Sequence, residues 1–236
     1  MRLDLRPFGR PSRSYGKLGS PVQRLRRAVT ALALLAMPIV PVHAAEQPVR
    51  IVVLGDSLSA GFGLAGNEAL PAKLERALKA RGHAVTIENA GVSGDTAAGG
   101  LARLDWSVAE GTDAVILELG ANDALRGSDP KTTRASLEEI IRKLKERRIA
   151  VLLAGMLAPR NLGPEYANAF DAIYPELAAK YDLVLYPFIL DGVAGDRALN
   201  LPDGLHPTAA GVDIIVSRLL PKAEELVARV KAARGS

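Results

Sequence analysis

Cysteine is absent from all 236 residues. No disulfide can staple this fold, and thiol catalysis and thiolate metal sites are excluded, so stability must come from a packed core. Histidine is scarce, with three copies at positions 43, 83 and 206, and no two are spaced as a metal-binding pair. No apolar run reaches the ~20 residues that a membrane-spanning helix needs. After residue 45 there is neither an internal repeat nor a low-complexity linker. A basic body is also missing. The net charge of +4 is confined to the start of the chain: residues 1–27 carry +7, residues 28–44 carry no charge, and residues 45–236 carry −3. That distribution gives no footprint for a nucleic-acid partner. What is present is 48% apolar and 24% charged residues, the balance of an ordinary globular chain long enough for one sizeable core.

The N-terminus has the order of an export signal. Arg24, Arg26 and Arg27 precede the apolar run Ala28–Met37, Pro38 and Pro41 break it, and Val42-His43-Ala44 supplies small-residue spacing for cleavage. Residues 1–44 are therefore expected to be a cleaved signal peptide with a long basic leader, and 45–236 a single domain. The protein is expected in the periplasm or outside the cell, with no stable membrane insertion after cleavage. His43 departs with the signal, which leaves His83 and His206.

Short β-rich runs recur at 50–54, 84–87, 114–119, 149–153 and 183–186. They are mostly apolar without clean alternation, as in strands of a parallel sheet buried on both faces. Helical spacing lies between them: Leu70, Leu74, Ala77 and Leu78; then Leu137, Ile140, Ile141 and Leu144; then Tyr166, Phe170, Ile173 and Leu177, where Pro175 should kink or end the helix. A last helix is read from Val212, Ile215, Val216 and Leu219, past Pro221, to Leu226 and Val230. Alternating strands and helices predict a three-layer α/β domain, with chemistry at the C-terminal ends of the strands.

Four segments follow strands and are rich in small or polar residues: Gly55-Asp56-Ser57-Leu58-Ser59, Asn89 to Thr96, Gly120-Ala121-Asn122-Asp123, and Asp203-Gly204-Leu205-His206-Pro207. Acyl transfer to a hydroxyl needs a base, an orienting carboxylate and fixed N–H donors for the oxyanion. Ser57 lies just past a strand, at a helix start where backbone N–H groups are unpaired. His83 falls at the wrong end of the sheet, so His206 is the candidate base by elimination. Asp203, three residues earlier, faces the same way on a turn or short helix. Gly94 can offer a backbone N–H and Asn122 a side-chain amide. Each residue also has a plainer reading. Ser57 suits a helix N-cap, Asp203-Gly204 a turn, and Gly94 a turn, while Asp123 and Ser59 are read as structural. Asp56, Asp95 and Asp123 leave open an acidic cluster for a metal or a phosphoacceptor.

Together the four segments resemble the SGNH (GDSL-type) hydrolase family, in particular its bacterial thioesterase I/lysophospholipase L1 and secreted arylesterase branch. The stretches Ser93-Gly94-Asp95-Thr96 with Gly100–Leu104, and Glu118-Leu119-Gly120 with Asn122-Asp123, extend the likeness over nearly all of 50–220. Ala121 stands where a second glycine is common. The serine is not in a G-x-S-x-G elbow, unlike that of an ordinary α/β-hydrolase. The resemblance implies a flavodoxin-like α/β/α fold with a five-stranded parallel sheet. It also implies Ser57 as nucleophile, His206 as base, Asp203 as its orienter, and an oxyanion hole of Ser57, Gly94 and Asn122. No cofactor is implied. The implied substrates are small-molecule esters with short- to medium-chain acyl or aryl groups, a range that extends to thioesters and lysophospholipids. A carbohydrate O-deacetylase is the alternative within the family, and an inactive exported lipid- or sugar-binding module the alternative outside catalysis. The apolar loops 157–163 and 188–190 flank the predicted site, with Leu157, Leu162 and Phe188 as candidate substrate contacts.

Overall fold

The computed structural model describes residues 47–235, so the signal segment expected over 1–44 lies outside the described residues. Five strands form the sheet: β1 (Val49–Gly55), β2 (Val85–Gly91), β3 (Ala114–Glu118), β4 (Ala150–Ala154) and β5 (Val184–Tyr186). All pairings are parallel, in the order β2-β1-β3-β4-β5. The three central strands are buried almost throughout, which explains their unbroken apolar runs: both faces are covered.

The edge strand β2 runs four residues beyond the expected end at Ile87. It continues through Glu88-Asn89-Ala90-Gly91 in register with Val52 to Gly55. An edge strand needs a partner on one side only, so half-exposed polar residues carry it as well as apolar ones.

Nine helices fill the connections among the described residues. They are α1 (Ser57–Ala60), α2 (Leu70–Ala80), α3 (Ala97–Ala102), α4 (Leu104–Ser107), α5 (Ala121–Leu125), α6 (Pro130–Glu146), α7 (Pro164–Asp171), α8 (Ile173–Tyr181) and α9 (Ala209–Gly235). Their predicted apolar stripes face inward: Leu70, Leu74 and Leu78 of α2 and Leu137, Ile140, Ile141 and Leu144 of α6 are buried. Asp129 caps α6 by accepting from the Lys131 N–H at 2.9 Å, with Pro130 as the first helical residue. α2 packs with α9, and α6 packs with α3 and α8, so the sheet lies between helical layers.

Two prolines behave differently. The helix predicted across 166–177 divides at Ala172, three residues before Pro175. Pro175 has no N–H for the Asp171 carbonyl, so it sits in the first turn of a new helix, where none is needed. Pro221, in contrast, lies inside a continuous α9. Pro221 and Ser217, whose carbonyl loses its donor, are both on the exposed side, where water replaces the missing bond.

The strand order places a topological switch between β1 and β3: the chain crosses from β1 to one side for β2 and to the other for β3. Ligand crevices form at such points, beyond the carboxyl ends of the strands. Ser57 and Asn122 each stand just past the end of one of these two strands.

Candidate active site

The exit of β1 is fixed by its own acid. Asp56 is fully buried and caps α1 through Oδ1, which accepts from the Leu58 N–H at 3.0 Å. Ser57 is therefore the first residue of a four-residue helix. Its N–H has no intrahelical acceptor and its side chain faces the crevice. Ser59 turns inward and donates its hydroxyl to Glu118 Oε2 at 2.7 Å, an oxygen that also accepts from the Asp56 N–H at 3.3 Å. Ser59 is thus structural, as its sequence context indicated. From the sequence Glu118 is part of a strand and of the stretch that carries the family resemblance, with no role of its own; a lone acid inside the apolar run Ala114–Leu119 is the signal available for its burial.

The second pillar is the loop before α9. An antiparallel bridge between Asn200 and Pro207 closes it, together with the Leu201 N–H donating to the His206 carbonyl at 2.7 Å. Asp203 Oδ1 accepts from the backbone N–H groups of Leu205 (2.9 Å) and His206 (3.0 Å), and Oδ2 meets His206 Nδ1 at 2.7 Å. The i, i+3 pair therefore meets on a turn. On its other side, His206 Nε2 lies 2.8 Å from Ser57 Oγ. The Leu205 N–H, then the imidazole and the His206 N–H, hold the Asp203 carboxyl down to about 2, so it is ionised at any working pH. With Nδ1–H donated to Asp203, the Nε2 lone pair is left for the serine O–H. Phe62, which the sequence did not single out, packs its ring 4.4 Å from the imidazole, centroid to centroid.

Asn122, near the start of α5, donates its amide to the Asp95 carbonyl at 2.9 Å and to Asp56 Oδ2 at 3.2 Å. This ties the segment after β3 to the segment after β2, which carries Gly94. Gly94 has φ +84°, with open space where a Cβ would stand. The glycine is thus required by the left-handed backbone rather than by crowding. Arg126 donates to the Gly94 carbonyl at 3.0 Å and fixes that peptide. Arg103 ties the ends of β1 and β2 to the loop after β2: it pairs with Asp95 at 2.6 Å and donates to the carbonyls of Ala90 and Gly55 at 2.8 and 2.9 Å.

Beneath these groups lies a buried carboxyl pair. Burial pushes Asp56 up from 3.8 to about 6, against the Leu58 and Asn122 hydrogen bonds. Burial, then the charge of Asp56, also pushes Glu118 well up. Both folded-state values are raised. The unfolded chain therefore releases these protons first, and the native state loses stability as pH rises from about 4 through about 6 and beyond. For Asp56 alone the rise amounts to about 3 kcal/mol. We expect Glu118→Gln, which keeps an acceptor for Ser59 but cannot ionise, to lose less stability than the wild type between pH 5 and pH 8. Urea denaturation at both pH values measures this, and parallel losses in the two proteins would contradict it.

A cavity of about 740 Å³ opens over Ser57, Asn122 and His206. Leu58, Leu125, Met156, Leu157, Ala158, Phe188, Leu190 and Leu205 give it a largely apolar wall. Two predicted substrate contacts, Leu157 and Phe188, are in that wall, but Leu162 is not. Leu162 ends the 3-10 turn Arg160–Leu162 and is exposed. His83 precedes β2 at the opposite end of the sheet, 3.3 Å from Glu224.

The three acids considered as a cluster serve separate partners. Asp56 caps α1 and Asp95 pairs with Arg103. Asp123 accepts from the Ala97 N–H at 2.9 Å and the Thr133 hydroxyl at 3.1 Å. Among the described residues no three His, Cys, Asp or Glu side chains are grouped to hold a metal ion.

Comparison with known proteins agrees with this geometry. Residues 53–214 match the model of the GDSL-like Lipase/Acylhydrolase family. The chain is 37% identical to the esterase TesA of Pseudomonas aeruginosa over 202 residues, which is 85% of this chain and all of that protein. A crystal structure of TesA covers 75% of this chain and 99% of its own at 38% identity, with a TM-score of 0.72. An arylesterase of Vibrio mimicus is 39% identical, covering 70% of this chain and 82% of its own. Thioesterase 1/protease 1/lysophospholipase L1 of Escherichia coli is 35% identical, covering 75% and 84%. With the parallel five-stranded sheet and all four motif segments at one end of it, this chain belongs to the GDSL-like lipase/acylhydrolase family of hydrolytic enzymes.

Proposed function

We propose that the protein is an exported serine esterase acting through an acyl-enzyme. One observation carries the reading: the unbroken hydrogen-bonded chain from Ser57 Oγ to His206 Nε2 (2.8 Å) and from His206 Nδ1 to Asp203 Oδ2 (2.7 Å). Ser57 Oγ attacks the ester carbonyl carbon as its proton passes to His206 Nε2. The developing oxyanion is received by the N–H groups of Ser57 and Gly94 and by the Asn122 amide. Both amide hydrogens of Asn122 are engaged before substrate arrives, so the oxyanion replaces Asp56 Oδ2, the more distant acceptor. The tetrahedral intermediate collapses, and the leaving alkoxide or thiolate takes the proton from Nε2. Water then gives its proton to Nε2 and attacks the acyl carbon, and Ser57 is released by the reverse transfer.

The apolar cavity wall favours acyl or aryl groups over a sugar ring, which needs many polar partners. The names of the relatives, an arylesterase and a thioesterase/lysophospholipase, support the same range of esters and thioesters. Export rests on the signal read over residues 1–44. No helix among the described residues is long and apolar enough to cross a membrane.

An alkyl phosphonate with a nitrophenolate leaving group tests the nucleophile directly. We expect one phosphonyl adduct per chain, on the peptide containing Ser57, and loss of ester hydrolysis in step with it. Ser57→Ala should take up none. An adduct on another serine, or full activity in the labelled protein, would overturn the assignment.

A further inference from the structure

Arg160 is the one permanently charged side chain in the wall of the cavity over Ser57. Next to the reacting groups the wall is polar through Ser57, Asn122 and His206. Away from them it is dominated by Leu125, Met156, Leu157, Phe188 and Leu190. A guanidinium at the rim of such a cavity is out of keeping with the rest of the lining. Its side chain is 62% exposed, so it sits at the mouth rather than on the floor.

Arg160 is also held in place. Its Nη1 lies 2.7 Å from Asp171 Oδ2, and the other oxygen of Asp171 accepts from the Ala158 N–H at 2.8 Å. Asp171 thereby fixes the guanidinium relative to the cavity-wall backbone at Ala158. Among the described residues no other ion pair and no hydrogen bond engages the guanidinium, which leaves its remaining N–H groups for a ligand. A planar fork with free donors matches a carboxylate or phosphate, and less ordering is lost on binding when the fork is already held.

We propose that Arg160 is a specificity-determining residue that selects esters bearing an anionic group, carboxylate or phosphate, beyond an apolar portion that fills the cavity. The inference rests on the esterase reading and deepens it: the Ser57 end of the cavity takes the ester carbonyl, the leucine-rich wall takes the chain, and Arg160 takes the anion. The partial charge left by the Asp171 pair limits the gain to about fivefold, as for other solvent-exposed charge contacts. It should appear mainly in KM, because the anion is bound alike in ground and transition states.

The anion can be carried on either side of the ester bond, and two matched pairs of substrates distinguish the sides. In the first, 4-nitrophenyl hexanoate is compared with mono-4-nitrophenyl adipate, which has a carboxylate at the far end of the acyl chain. In the second, a monoacylglycerol is compared with the corresponding lysophosphatidic acid, which carries a phosphate on the alcohol side. We expect the wild type to prefer the anionic member of one pair by about fivefold in kcat/KM, with the preference shrinking in 0.5 M salt. Arg160→Gln should erase the preference while leaving the neutral esters within twofold, and Arg160→Lys should restore part of it. Equal effects of Arg160→Gln on neutral and anionic members, or no preference in the wild type, would overturn the proposal. Failure of the wild type to hydrolyse either pair would instead remove the esterase reading itself.

Discussion

Replacing Ser57 or His206 with alanine is expected to lower kcat for an activated ester by about 10⁴- to 10⁶-fold, and the double variant should fall little further. The non-additivity is the informative part. In the proposed mechanism Ser57 Oγ is a nucleophile only while His206 Nε2 accepts its proton, so either loss disables the same step. Fixed donors from Ser57 N–H, Gly94 and Asn122 leave a residual rate above water in every variant. Neither substitution should unfold the protein. The Ser57 hydroxyl has one hydrogen bond, to His206, and α1 is capped by Asp56 independently of it. Steady-state kinetics on 4-nitrophenyl butyrate, with denaturation curves run alongside, measure both quantities. Independent, multiplying losses from the two sites would mean that the 2.8 Å contact is not the working proton path.

Gly91→Ala should lower stability and turnover together, although Gly91 is not one of the reacting residues. Gly91 ends the edge strand, in register with Gly55, and carries no chemistry. A Cβ there would lie 2.3 Å from Ala60 N, 2.7 Å from Ala60 Cα and 2.8 Å from the Asp56 carbonyl oxygen. All three are backbone atoms of α1 or its cap. The helix has no flexible tip to give way, so the whole α1 segment must move. It is held by the Asp56 cap and by Glu118 below, so movement costs about 2–3 kcal/mol by overpacking. It also displaces Ser57 from His206, and a shift near 1 Å costs about 10²-fold in rate. Urea denaturation and kcat should therefore fall together. A variant with wild-type stability would show that the strand end yields instead.

Where sequence reasoning succeeded, the physical signal was local. The central strands announce themselves because burial on both faces demands continuous apolar runs, and α2 and α6 because their stripes repeat at helical spacing. Ser57, Gly94, Asn122, Asp203 and His206 were legible because each follows a strand, and parallel strands carry such segments to one end. Asp203 and His206 are three residues apart, so their pairing needed only a turn.

Where it failed, the deciding contact joined residues far apart in the chain. The polar half of β2 is a strand only because β1 offers it a ladder. Leu162 is a different case, since its surroundings are a local 3-10 turn, and it is absent from the cavity wall all the same. Phe62 packs on an imidazole 144 positions later, and nothing in its neighbours marks it.

The sequence by itself determined the fold class and supplied the polar groups and the histidine on which the proposed acyl transfer rests, because periodicity and scarcity can be read without coordinates. Only the tertiary structure decided how those groups are held. It buried Glu118 under Asp56, raised both carboxyls by withdrawing them from water, bound the ends of β1 and β2 together through Arg103, and set Arg160 at the mouth of an apolar cavity. Each of these depends on atoms from distant segments meeting at hydrogen-bond distance, and one-dimensional pattern carries no record of such distances.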